Sequence, residues 1–271
     1  MHKVLERTLP VLVVVLGLLA VWYAAAIIVD ASQGALAEQR PLVPAPHQVA
    51  LALWAGIAQP LNSPRSLIYH AGVTAASALV GFAIAFVLGI ALAIAIVNLR
   101  FLDRSLMPWI IASQTVPALA VAPMVVVVLG NLGLTGLIPK ALIAAWLSFF
   151  PIVTSMVSGL RSPERIQLDL LRTYSAGSWD VFAQLRWPAS MSFLFPGMKV
   201  AATLAVVGAI VAELPTGAQA GLGARLLGAS YYGQTLQLWA ALVMASLLAV
   251  FVVGIVDGAR GVLVRVRGGR L

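Results

Sequence analysis

Cysteine is missing altogether from these 271 residues. That removes disulfides, thiolate nucleophiles and cysteine-based metal sites, while leaving the compartment open. Histidine is nearly as scarce: His2, His47 and His70 are scattered, so no imidazole cluster for a metal is expected. Charged residues make up 10% of the chain and apolar residues 61%, against roughly a quarter and about half in soluble domains. The mean hydropathy of +1.00 agrees. This leaves no room for a soluble catalytic domain of ordinary size, and no nucleophile–base or metal constellation marks a membrane enzyme. No GxxxxGK[ST] stretch occurs, so any ATP hydrolysis that drives the protein must happen on another polypeptide.

Long apolar runs are what the chain has instead. About 20 apolar residues cross a hydrocarbon core, and reading runs against breakers gives six spans. They lie near Leu9–Val29, Ala71–Val97, Leu106–Leu129, Leu134–Leu160, Phe193–Ala212 and Thr235–Val256. The expected fold class is an all-α membrane protein of about six transmembrane helices. Pro108, Pro117, Pro123 and Pro139 interrupt or border the third and fourth spans, where neighbouring helices can satisfy the freed carbonyls. The first run follows Arg7 without a small-residue cleavage pattern, so a retained helix is expected rather than a removed signal peptide. Gly81, Gly89 and other small residues of the second span point to close helix packing.

The net charge of +8 is distributed asymmetrically. With six spans both termini share a side, and 12 of the 17 Lys and Arg residues fall there, against Arg40, Arg65, Lys140 and Arg225 opposite. The positive-inside rule makes the rich side cytoplasmic. Orientation and lipid headgroups account for the charge without nucleic acid. Lys199, near the inner end of the fifth span, is expected to snorkel to phosphate. Residues 1–66 read as an N-terminal membrane helix and an outer interfacial segment, with His47–Gln59 a short helix lying on the membrane or packing under the spans. Residues 67–271 read as the core domain.

Within the core, one polar island breaks the pattern: DLLRTYSAGSWDVFAQLRWP, from Asp169 to Pro188. Ile166–Thr173 can form two turns of helix. Ser175, Ala176 and Gly177 then break it, with Gly177 the residue able to take positive φ. Ser178 is a suitable N-cap and Asp180 sits in a first turn, where the helix dipole favours an anion. Val181, Phe182 and Leu185 make an apolar stripe, Arg172, Gln184 and Arg186 supply polar surface, and Pro188 marks the return to the bilayer. The expectation is two short helices with an apolar knob that a partner's cleft can grip.

This island resembles the signature loop of binding-protein-dependent ABC importer permeases: EAA, three residues, Gly, nine residues, Ile-x-Leu-Pro. Asp169, Leu170 and Leu171 stand at EAA, Ser175 at Gly, and Leu185, Trp187 and Pro188 at Ile, Leu and Pro. The spacing is kept, while the two Ala and the Gly are replaced. "VPALAVAPMVVVVLG", "RTYSAGSWDVF", and "VVGAIVAEL" followed by "GLG" resemble the nitrate/sulfonate/taurine-type permeases. The run "VAELPTGAQAGLGARLL" is more similar to permeases associated with pyrimidines and related heterocycles. The resemblance covers roughly Leu67 to the C-terminus.

The resemblance implies a type I ABC importer permease with a cytoplasmic coupling loop at about 161–188, in the bacterial cytoplasmic (inner) membrane with both termini cytoplasmic. It implies three partners: ATP-binding ABC subunits, a second permease, identical or different, and a periplasmic or lipid-anchored solute-binding protein. The chain itself would hold no cofactor, with ATP and Mg on the ATPase subunits. The residues expected to couple to the ATPase are Asp169, Leu171, Arg172, Ser175, Ala176, Gly177, Asp180, Phe182, Arg186 and Pro188, with Phe182 at the contact core. Membrane lipid surrounds the whole.

Candidate pathway residues are fewer. Glu213 ends an apolar run and is either a functional acid at membrane depth or a cap just outside it beside Pro215. Gln114, Thr115 and Ser148 either line a path or satisfy neighbouring helices. The turn Thr216–Gly223 is expected to re-enter or to cover the outer mouth. A self-contained ion-coupled carrier or channel is the alternative class, and it would need buried ion-binding carboxylates or paired broken helices. Glu213 is the one candidate acid at depth, and no paired halves are visible.

Overall fold

A computed structural model describes residues 2–33, 41–61, 63–215 and 218–266. Among them the chain is helical and has no strand. In chain order the helices are α1 (His2–Gln33), α2 (Pro46–Ile57), α3 (Leu67–Asn98), α4 (Arg100–Ala112), α5 (Ala118–Asn131), α6 (Leu137–Leu160), α7 (Arg165–Thr173), α8 (Ser178–Val181), α9 (Trp187–Glu213), α10 (Leu222–Tyr231) and α11 (Thr235–Val266). Five segments are long and apolar enough to cross a membrane, and six if the bent pair α4–α5 counts as one. The protein is a multi-pass, all-α membrane protein.

That bent pair corrects the third expected span. Leu106–Leu129 is not one straight helix: the chain turns through 100° between Arg100–Thr115 and Ala118–Asn131. Pro117 accounts for the break in the helix. A residue before proline is pushed out of the helical region, and Val116 is extended, with φ −78° and ψ 122°. Pro108, Pro123 and Pro139 all lie inside helices.

At the centre α6 packs along α3 on one side and α9 on the other. Small residues permit this. A lipid-embedded bundle gains little from the hydrophobic effect between helices, so close van der Waals contact has to hold it. Buried Ala71, Thr74, Ala78, Gly81, Ala85, Gly89 and Ala93 form one stripe along α3 at three- and four-residue spacing. A Cβ on Gly81 would lie 2.5 Å from the Ala141 carbonyl, and one on Gly208 2.7 Å from Ala144 Cα.

The fifth span is longer than expected. It begins at Ser178 and runs for 36 residues to Glu213, about 54 Å at the helical rise and well beyond the roughly 30 Å of a hydrocarbon core. α11 packs on α9 and also carries α2 and α10. Lys199, expected to snorkel to phosphate, pairs with Asp257 of α11. α2 buries Val49 and leaves Leu51 and Trp54 exposed.

α1 stands apart. Its face from Leu9 to Val21 is largely exposed, and its described contacts gather near one end. There Trp22 Nε1 donates to Pro44 O at 3.1 Å and Trp22 packs on Trp239. Ala26 is buried.

The glycine packing is testable. Gly81→Ala should cost about 1–3 kcal/mol through overpacking against α6. Gly72→Ala, where a Cβ meets nothing within 4 Å, should cost no more than about 0.5 kcal/mol. Unfolding in mixed micelles titrated with a denaturing detergent measures both.

Candidate functional site

Two constructions stand at opposite ends of α9. The first is the hairpin of α7 and α8. Glu164 N–H donates to Gln167 Oε1 at 3.0 Å, which starts α7. Its end is made by Ser175, the one non-glycine residue with positive φ (55°) among those described. Ala176 N–H reaches Leu171 O at 3.0 Å and Ser175 N–H reaches Arg172 O at 2.9 Å, the paired bonds of a Schellman cap. The left-handed residue is therefore Ser175, at the Gly position of the signature, and not Gly177, which is extended at φ −71°. A serine there carries a backbone cost of roughly 1 kcal/mol.

Gly177 rather than Ser178 is the N-cap of α8, and Asp180 Oδ2 accepts the Gly177 N–H at 3.0 Å. Beyond Val181 the helix does not stop. Residues Phe182–Arg186 form a π turn in which Trp187 N–H reaches Phe182 O. Pro188 has no N–H to donate and its ring crowds the carbonyl four residues back. The widened turn just before it lets the helix continue. Pro188 thus lies within one unbroken helix, and the hairpin's second arm is the start of a membrane span.

Phe182 is partly buried between Trp179 and Trp187, at ring distances of 5.6 and 6.0 Å. It lines a cavity of about 390 Å³ between the hairpin and the end of α3, together with Val97, Arg172, Ala176 and Arg186. Asp169 pairs with Arg172 at 3.0 Å in full view of solvent, a contact worth little. The exposed apolar groups are others: Ile166, Leu170 and Tyr174 at four-residue spacing on one face of α7 and its cap, and Trp179. Tyr174 is 77% exposed and Trp179 74%. The spacing was present in the sequence, but polar neighbours within the island hid it.

At the other end the side chain of Glu213 is 0% exposed. Thr74 Oγ1 donates to its carboxylate at 2.9 and 3.0 Å, Gly223 N–H donates at 2.9 Å, and Lys140 Nζ lies 3.5 Å away. Lys140 also donates to Ala220 O at 2.8 Å, so it is drawn inward rather than standing as a surface charge. Thr74 Oγ1 accepts from Leu222 N–H at 2.9 Å, and His70 Nδ1 accepts from Gly221 N–H at 3.0 Å. His70 Nε2 lies 2.9 Å from Pro64 O, which fixes the tautomer with its proton on Nε2.

The N–H groups of the N-cap Gly221 and of the first two residues of α10, orphans at any helix start, are each met by a side chain of another helix. The glycines make this approach possible: a Cβ on Gly221 (φ 127°) would sit 2.1 Å from Glu213 Cδ, and one on Gly223 2.4 Å from Ile210 O. Of the expected turn Thr216–Gly223, residues 216–217 lie outside the described residues. The rest leads into α10.

The four candidate pathway residues are not brought together. Glu213 belongs to this network. Ser148 is buried within α6 and donates to Ala144 O at 2.6 Å. Gln114 and Thr115 are exposed at the α4–α5 bend, where Thr115 donates to Ala112 O. A cavity of about 810 Å³ opens beside the Glu213 network, its polar lining including Tyr69, Ser77, Asn131, Thr135, Lys140 and Gln219.

A bundle of apolar helices long enough to cross a membrane, with a polar hairpin at one end, is the architecture of a multi-pass membrane protein. Residues 85–266 match the family described as binding-protein-dependent transport system inner membrane component, and the chain belongs to that family. It is 32% identical over 183 residues to the formylaminopyrimidine transport permease protein ThiX of Halalkalibacterium halodurans, covering 67% of this chain and 68% of that one. It is 31% identical over 183 residues to the riboflavin transport system permease protein RibX of Chloroflexus aurantiacus, covering 68% of this chain and 65% of that one. It is 28% identical over 232 residues to the putative aliphatic sulfonates transport permease protein SsuC of Escherichia coli, covering 86% and 82%.

The Glu213 network makes a stability prediction. Glu213→Ala should cost about 3–5 kcal/mol, because it strands Lys140 and a buried N–H. Thr74→Val should cost about 1–3 kcal/mol. Thermal unfolding in detergent, compared with Ser192→Ala at an exposed site, measures the difference.

Proposed function

We propose that this chain is the transmembrane subunit of an ATP-driven, binding-protein-dependent importer, set in a bacterial cytoplasmic membrane with both termini on the cytoplasmic side. Two permease subunits, identical or different, would line the translocation path. The hairpin would receive the motion of a separate ATPase subunit that holds ATP and Mg, and a periplasmic or lipid-anchored solute-binding protein would deliver solute at the outer face. The observation that carries this reading is the hairpin. It presents Ile166, Leu170, Tyr174 and Trp179 to solvent on the side rich in Arg, and its second arm is continuous with a span reaching Glu213.

The contact with the ATPase centres on Tyr174 and Trp179, with Arg172, Asp180 and Arg186 around them. Phe182 supports Trp179 from beneath. Ser175, Ala176 and Gly177 set the angle between the arms, while Asp169, Leu171 and Pro188 hold the arms in place. A solute of nitrogen-heterocycle type is favoured by the names of the riboflavin and formylaminopyrimidine relatives. The cavity of about 810 Å³ is within the range that takes such solutes. The ion-coupled carrier reading loses its one candidate acid, because Glu213 is already occupied by Lys140, Thr74 and Gly223.

Co-purification tests the coupling. Tyr174→Asp and Trp179→Asp should each lower recovery of the ATPase subunit about tenfold or more, as expected of aromatic anchors in an interface. Asp169→Ala should change it little, since its ion pair is exposed. Full recovery and uptake by both aromatic variants would show that the hairpin is not the coupler.

A further inference from the structure

At the end of the bundle away from the hairpin, a second cavity of about 590 Å³ lies between α2, the start of α3, α10 and α11. Arg65 and Arg225 both line it, with Gln59, Gln234 and Gln237, and no carboxylate does. Arg225 Nη2 donates to Gln237 Oε1 at 2.9 Å. Neither guanidinium takes part in any ion pair among the described residues. Burial, and after it the like charge of Arg65, push Arg225 below the usual arginine range. Two cations sharing one hollow repel each other, and an anion placed between them would relieve that cost.

The surroundings say which anion. An adjoining hollow of about 270 Å³ shares Gln234, Leu236 and Gln237 and brings Tyr232 to the rim. Tyr232 is exposed and packs edge-on against Tyr231, which is 83% exposed. Arginine and tyrosine together are the residues that dominate protein–protein hot spots. In α2, Leu51 and Trp54 are exposed, while Ala52, Ala55 and Gly56 of the same helix, and Gln59 just beyond it, line the cavity. Gln59, Gln234 and Gln237 join the two arginines in the lining, which is otherwise Ala, Gly and Leu.

We propose that Arg65 and Arg225 form the docking point for an acidic side chain of the soluble solute-binding protein, flanked by Tyr231 and Tyr232. This rests on the importer reading. A carboxylate can take both arginines through charge-assisted, forked hydrogen bonds. The contact sets register on the outer face and steers the approach of an acidic partner.

The test uses the complete complex of this chain with its ATPase subunits, in nanodiscs of zwitterionic lipid, with ATPase activity titrated by the cognate solute-binding protein. Arg65→Glu and Arg225→Gln should each raise the half-saturating concentration of binding protein about tenfold or more, with the wild-type plateau still reached. Arg225→Lys should shift it less. Added salt should weaken the wild type more than either variant. A half-saturation unchanged by both substitutions, in a wild type that the binding protein does stimulate, overturns the docking site alone. A wild-type complex that no binding protein stimulates overturns the importer reading and the docking site with it. Effects that appear only when anionic lipid is added, and are independent of binding protein, assign the pair to a lipid phosphate and overturn the proposal.

Discussion

The structure depends on how closely α9 and α6 approach. Gly159 of α6 faces the Ser190 backbone, Gly197 of α9 faces Ser155 and the Pro151 carbonyl, and Gly208 faces Ala144. At each place a single added methyl would collide with backbone or with a buried side chain. Lipid tails are as apolar as leucine, so this backbone-level contact, and not the expulsion of water, fastens the helices. It also fastens them along most of their length, which opposes bending of α9 within the membrane even at its interior Pro196. The proposed transmission of force from hairpin to outer face requires that rigidity.

Each end of α9 then meets a different physical demand. At the hairpin end a proline must be carried inside a helix, and the π turn before Pro188 meets the demand without a break. At the far end a carboxylate is wholly buried, which is tolerable because a lysine, a hydroxyl and a backbone N–H surround it. That carboxylate also fixes the first turn of α10, whose fourth residue is Arg225. The proposed docking site and the proposed coupling hairpin are thus tied to the same helix.

Much of this could be read from the sequence, and the rest was hidden for definite reasons. Apolar runs located the five straight spans, because hydrocarbon thickness sets their length, but not the break in the third, and the small-residue stripe of α3 announced its packing. The signature spacing located the hairpin. The direction of its side chains was not legible: whether Phe182 faces out or in depends on the π turn, and a local 3.6-residue count does not contain that turn. Positive φ was assigned to Gly177 because glycine tolerates it most readily, yet the closing bonds of α7 impose it on Ser175. The partners of Glu213 come from positions 74, 140 and 223, and no spacing rule joins those three. Pro117 was visible as a breaker, but the 100° turn it makes belongs to the packing of α4 and α5 on the rest.

The most direct test of a rigid link between the two ends is a pair of spin labels, which a cysteine-free chain makes simple to place. Ser178→Cys and Leu214→Cys put one label at each end of the continuous helix in the assembled transporter. The distance between them, measured by pulsed electron resonance with and without ATP and binding protein, should stay constant to within about 2 Å, the size of ordinary helix shifts. A separation that changes by more than that in step with nucleotide would mean that the helix bends or melts between its ends, and would contradict the account.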